Sequence, residues 1–410
     1  MKYANSLIYM NSFRGASSPS EISDKRVSTL CSALGRINVG VRSILLPHGP
    51  AGYAASVMLE SVIKNAGYHV GRITSEFGFD SRSSVLVDGK AVPIEDYNRC
   101  VAEIKNAIVS DSDKEYLKEE AVFALGLTAC RVMGCEYVIL QGMSCEGYSL
   151  DALCAPYDLV IVPTVYSSNG SEAEAKVISD AIKRGTREVV SGNQKGSVYS
   201  QISAACVTSG VRLSFTAKTG FAVNELGSRR LSFTYGDRDG YTVKSPSILL
   251  RDCAMLVIES SLAIRRDGVK LPWSSISSGL AETANTGCFE ILSVSPFIII
   301  DSAETKEEAE MLLRTVGEVI GSIESDSLAV CIPKSADALL SCFDRSIVSD
   351  VIVCSGDEYD ASDGTVLCQD EKKAAAELLK LSKSNKNVIC LGGVAFSNGI
   401  KAEILKKMNG

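Results

Sequence analysis

Short, wholly apolar runs separated by helix-patterned segments constrain this chain more than any other feature. Ile44–Leu46, Tyr137–Leu140, Leu159–Val162, Phe297–Ile300, Leu328–Ile332 and Val388–Leu391 are continuous rather than alternating, as strands buried on both faces are. Such strands need helices above and below them, so the expected fold class is α/β, built on open, mostly parallel sheets with helices on both faces. At 410 residues the chain exceeds one ordinary domain. A change of rhythm near Thr283–Gly287 sets the division, with residues 1–284 forming a larger domain and 285–410 a smaller, Rossmann-like one.

Apolar spacing predicts two opening helices, over residues 3–13 and 20–35, with Pro19 and Ser20 marking the second start. A strand, a glycine turn and a helix follow through Ser43–Gly67, then a strand over His69–Ser75. Val85–Val92 reads as a small hairpin with Asp88-Gly89 at its turn. Helices are expected near 95–110, 114–133 and 172–184, with a strand at Glu188–Val190. Val211–Ser247, broken by Gly220, Gly227, Gly236 and Gly240, reads as an antiparallel patch, followed by helices near 251–265 and 274–282. Beyond the division, strands near 297–300, 328–332, 351–354, 366–368 and 388–391 alternate with helices near 304–321, 335–343, 370–384 and 396–408.

Composition narrows the function classes. A net charge of −7 gives no basic footprint for nucleic acid. No apolar run reaches the roughly 18–20 residues of a membrane span, and the opening Met1–Ser6 lacks a secretory layout, so a cytoplasmic protein without a membrane partner is expected. The 14 cysteines form no Cys-x-x-Cys pair, and only His48 and His69 offer imidazole, so reduced thiols and no metal centre are expected.

The strand–turn–helix at Ser43–Gly67 has the frame of a phosphate-binding loop, in which N–H groups at a helix start cradle an anion while a lysine and a hydroxyl complete the site. The chemistry of this loop is different: Gly49-Pro50-Ala51-Gly52-Tyr53-Ala54-Ala55 has no Gly-Lys-Ser/Thr ending, and Pro50 removes one N–H.

Taken in order, the opening helices, this loop, Thr74-Ser75 after the next strand, the Val-Asp-Gly-Lys hairpin, Gly287-Cys288-Phe289-Glu290 and the strand ending at Asp301 resemble the folylpolyglutamate synthase/dihydrofolate synthase family of the Mur ligase superfamily. The resemblance covers essentially the whole chain. It implies an amino-terminal ATPase-type domain with a P-loop-type parallel sheet and a smaller Rossmann-like domain. It also implies a reaction in which ATP and Mg convert a carboxylate to an acyl phosphate that glutamate then attacks.

Position by position, the family's motif residues are replaced. Tyr53 stands for the loop lysine and Ala55 for the metal-binding serine; Gln141 stands for a magnesium-binding glutamate, with Glu146 nearby as a conceivable substitute. Thr164–Asn169 lacks the family's histidine, Ile248, Leu249 and Asp252 take the place of a nucleotide-contacting motif, and Lys183 and Arg184 read as solvated surface near the place of a carbamylated lysine. Cys288 replaces a phosphate-contacting arginine. Asp301 persists, either meeting a ligand or capping the helix that follows. Because these residues serve one phosphate–metal cluster from separate segments, their joint loss points to a ligase-like pseudoenzyme that uses no cofactor and binds a small molecule or a protein in an interdomain cleft. The alternative is a divergent ligase using ATP and Mg. A purely structural role is a third reading, and a Ser or Cys nucleophile lacks a histidine in a suitable context.

Overall fold

The computed structural model describes residues 2–16, 21–37, 39–74, 80–109, 115–142, 157–165, 171–183, 185–217, 219–283, 286–324, 327–344, 346–355 and 365–409. The chain divides into two compact units. One comprises Met1–His48, Ala55–Thr219 and Cys253–Thr283; the other comprises Gly49–Ala54, Gly220–Asp252 and Ala284–Gly410.

The first unit is built on an eight-stranded sheet of β1 (Arg42–Leu46), β2 (Val70–Thr74), β3 (Val85–Val87), β4 (Lys90–Ala91), β5 (Tyr137–Gln141), β6 (Leu159–Val162), β7 (Glu188–Ser191) and β8 (Arg212–Phe215). Their order is β4-β3-β2-β5-β1-β6-β7-β8. The six strands from β2 to β8 in that order run parallel, and β3 and β4 add an antiparallel hairpin at one edge. Asp88 and Gly89 both adopt positive φ, 51° and 76°, as the tight hairpin turn expected there requires.

Helices α1 (Tyr3–Asn11), α2 (Asp24–Ala33), α3 (Pro50–Asn65), α4 (Ile94–Val109), α5 (Lys118–Val132), α6 (Ser171–Lys183), α7 (Gly196–Ser209), α8 (Ile248–Arg266) and α9 (Trp273–Glu282) lie wholly or mainly in this unit. Close approach is secured by glycine at two contacts. A Cβ on Gly126 of α5 would stand 2.5 Å from Ile73 Cδ1 on β2, and one on Gly279 of α9 would stand 2.5 Å from Val62 Cα on α3. A buried ion pair adds a third tie: Glu60 of α3 accepts from Arg72 Nε of β2 at 2.8 Å and from the hairpin Gly89 N–H at 2.7 Å.

In the second unit, β9 (Phe221–Gly227), β10 (Arg230–Tyr235) and β11 (Arg238–Val243) form an antiparallel meander. A six-stranded sheet follows, from β12 (Glu290–Val294), β13 (Phe297–Ile300), β14 (Leu328–Pro333), β15 (Val348–Cys354), β16 (Thr365–Cys368) and β17 (Asn387–Cys390), in the order β12-β13-β17-β14-β15-β16. Only β12 is antiparallel to its neighbour. Successive residues of these strands feed opposite faces: Ile299, Val330 and Ile389 pack with α10 (Lys306–Val319), while Ile298, Ala329 and Val388 pack with α11 (Glu371–Lys383) and α12 (Val394–Asn409). Helices therefore cover both faces, as expected for the α/β class.

Some elements differ from the sequence reading. The second helix begins at Asp24, where Ser23 Oγ accepts the Arg26 N–H; residues 17–20, with Pro19 and Ser20, lie outside the described residues. β8 is not part of the antiparallel patch but pairs parallel to β7, because its run continues the buried sheet rather than the meander. Neither α7 nor β12 was anticipated, and Lys334–Cys342 is 3-10 helix. No helix among the described residues is long and apolar enough to cross a membrane. The described cysteines are all free thiols, most of them buried.

Candidate functional site

Ligand sites of parallel sheets lie beyond the carboxyl ends of the strands, where the strand order reverses. Here β1 is that point, flanked by β5 on one side and β6 on the other. Gly49 follows it with φ +99°, and a Cβ there would meet nothing within 4 Å, so the backbone conformation alone calls for glycine. Its carbonyl accepts the Tyr53 N–H at 2.9 Å, closing the first turn of α3. Pro50 occupies the first helical position, where a missing N–H costs the helix nothing. Ala51, Ala54 and Ala55 are buried, Gly52 is buried and Tyr53 half-buried. The strand, turn and helix are thus formed.

Gln141 ends β5, paired in register with Leu46 of β1 and Thr74 of β2. It is fully buried, and its amide is occupied at both ends. Oε1 accepts the Thr74 hydroxyl at 2.7 Å, and Nε2 reaches the Pro47 carbonyl at 3.5 Å. The side chain therefore joins β2 to the segment that leads into the glycine turn. Glu146 lies outside the described residues, as do Tyr166–Asn169, Ser75 and Arg184. No group of three or more His, Cys, Asp or Glu side chains able to hold a metal occurs among the described residues.

In the second unit the structure brings Cys288 and Asp301 together. Asp301 follows β13 and is buried; Oδ2 accepts the Phe289 N–H and Oδ1 the Ala303 N–H, both at 2.8 Å. Phe289 is a buried aromatic residue at φ +49°, preceded by Gly287 at +73°, so the carboxylate holds a turn whose backbone is left-handed at two residues. Burial pushes the Asp301 carboxyl up to about 7, against the pull of those two N–H groups. Cys288 is fully buried beneath this turn, with Sγ 3.5 Å from the Thr286 carbonyl and 3.7 Å from Ser302 Oγ. Asp301 does not cap the following helix. That role falls to Thr305, whose Oγ1 accepts the Glu308 N–H at 3.3 Å, and to Glu308, whose Oε2 accepts the N–H groups of Glu304 and Thr305.

A feature missed in the sequence lies at the carboxyl ends of β7 and β8. A cavity of about 490 Å³ opens there, bounded by Asn193, Gln194, Gly196, Tyr199, Phe215 and Thr216. Tyr199 and Phe215 stack with ring centroids 5.6 Å apart. Gln194 fixes the wall, accepting the Val165 N–H at 3.1 Å and donating to the Pro163 carbonyl at 2.7 Å. The available signal was the polar run Gly192-Asn193-Gln194 directly after a buried strand.

No protein-family model and no curated protein sequence matches the chain. Solved structures do. The apo form of Lactobacillus casei folylpolyglutamate synthase superposes with a TM-score of 0.80 at 20% identity, covering 99% of this chain and 100% of that one. The Mycobacterium tuberculosis folylpolyglutamate synthase complexed with ADP gives 0.79 at 16% identity, covering 98% and 99%. At such identities the likeness is one of fold, and it extends over nearly the full length of both chains: this protein has the two-unit α/β fold of the folylpolyglutamate synthases.

Proposed function

We propose that this chain is a folylpolyglutamate-synthase-like protein of the Mur ligase superfamily that has given up ATP-dependent amide ligation and retains a binding role, with a small molecule or a protein as its ligand. The observation that carries this reading is the Thr74–Gln141–Pro47 hydrogen-bonded bridge, which ties up the side chain at the place of a magnesium ligand. An amide oxygen already accepting a hydroxyl is a poor donor for a hard cation, and it brings no charge. Tyr53 and Ala55 likewise supply neither the cation nor the small hydroxyl that a triphosphate and its metal need. The described residues therefore do not fit ATP and Mg, and no ligation step runs through them.

Support from the second unit is of the same kind. Asp301, an acidic motif residue that persists, spends both carboxylate oxygens on backbone N–H groups, and the residue aligned with the family's arginine is the buried thiol of Cys288. The test is a pair of assays on the full chain: thermal unfolding with ATP and magnesium, and ADP release with glutamate and a folate. This reading expects neither a shift nor release. Magnesium-dependent stabilisation together with glutamate-dependent ADP release would establish a divergent ligase instead.

A further inference from the structure

We infer that the opposite end of the first unit's sheet carries a binding site for a small aromatic or otherwise apolar molecule bearing one carboxylate-class anionic group. A cavity of about 210 Å³ lies at the amino ends of β5, β1, β6, β7 and β8, closed by the last turn of α8. Its floor is apolar, from Ile44, Leu159, Ala263 and Ile264, with the ring of Tyr137 at one side.

Four guanidinium groups and three carboxylates ring this floor, an excess of one positive charge. Two of the four arginines are committed. Arg42 hydrogen-bonds Asp267 at 2.9 Å, and Arg266 hydrogen-bonds Glu188. The other two keep N–H donors to spare. Arg187 is ion-paired with Asp158 at 3.5 Å and Asp267 at 3.7 Å, but its guanidinium makes no hydrogen bond among the described residues. Arg212 makes neither an ion pair nor a hydrogen bond through its side chain among the described residues. Two guanidinium groups with N–H donors to spare therefore line a part-apolar cavity, the arrangement that receives a carboxylate or sulfonate. A monoanion neutralises the excess charge, while its ring covers the floor.

Fluorine NMR on the full chain tests this with 4-(trifluoromethyl)benzoate and the neutral 4-(trifluoromethyl)benzamide. The benzoate is expected to bind saturably and at least about fivefold more tightly than the amide. Arg187→Gln and Arg212→Gln should each weaken the benzoate by about tenfold, with unfolding temperatures little changed because neither side chain is hydrogen-bonded among the described residues and the Arg187 ion pairs are solvent-exposed. Ala263→Phe, which fills the floor, should abolish it. No saturable binding, equal binding of acid and amide, or benzoate binding indifferent to both arginine variants would overturn the assignment.

Discussion

The Thr74 hydroxyl donates to Oε1 of Gln141 at 2.7 Å, across the ends of two neighbouring parallel strands. Both residues are buried, and the same amide reaches Pro47, so the polar side chain at the head of the glycine turn is part of the scaffold. Replacing Gln141 with Leu removes its hydrogen bonds to the Thr74 hydroxyl and the Pro47 carbonyl. The expected loss is about 1–3 kcal/mol, read by urea unfolding. An unchanged midpoint would show that the bridge contributes nothing.

Helix α3 is held to the sheet independently of any ligand. Glu60 and Arg72, each with a side chain only 4% exposed, form an ion pair inside the unit, and Glu60 also takes the Gly89 N–H. Glu60→Gln removes the carboxylate that compensates the Arg72 charge and is expected to cost about 3–5 kcal/mol. Thermal and urea unfolding measure this directly. A loss within the range of a surface substitution, about 0.5 kcal/mol, would contradict it.

The elements of this fold could be read from the chain wherever burial is expressed as a continuous apolar run, as in β1, β5, β6 and β14. They could not be read where the signal is mixed. α7 begins Gly196-Ser197-Val198, a weak helix start, and its apolar residues are diluted by serines. β8 has a short run, Arg212–Phe215, whose parallel pairing with β7 is a long-range fact absent from local pattern. In the site, Tyr53 and Gln141 could be singled out in sequence, but the Thr74 partner of Gln141 could not, since it depends on the register of β2 against β5. Glu60 and Arg72 look like ordinary solvated charges until the hairpin closes over them.

A pH dependence follows from Glu308 in the second unit. Its carboxyl is pushed up to about 7 by burial, although it accepts the Glu304 and Thr305 N–H groups. A carboxyl whose folded pKa lies above its unfolded value binds its proton more tightly when folded. Its contribution to stability is therefore greatest below about pH 4 and declines as the pH rises to about 7. Asp301, also raised to about 7, acts in the same direction. Glu308→Gln keeps an oxygen for the two N–H groups but cannot titrate, so its unfolding temperature should fall less steeply than wild type over that interval. Parallel profiles would show that Glu308 does not titrate there.

Tightening of Gly279 probes the packing of α9 on α3. Its Cβ position lies 2.5 Å from the Val62 backbone, and Ser61 Oγ already donates to its carbonyl at 2.8 Å, so the helices have no room to part locally. Gly279→Ala is expected to destabilise by about 1–3 kcal/mol through overpacking, despite the better helix propensity of alanine. A neutral or stabilising outcome in the same unfolding assay would place the two helices farther apart.

The central claim concerns Gly49–Ala55, a phosphate-loop frame retained for the fold with the phosphate chemistry gone. It is tested most directly by the unfolding temperature of the full chain titrated with ATP and magnesium to millimolar concentration, alongside glutamate-dependent ADP release. The account predicts an unmoved unfolding temperature and no ADP. A magnesium-dependent rise accompanied by ADP release would contradict it and return Tyr53 and Gln141 to a working active site.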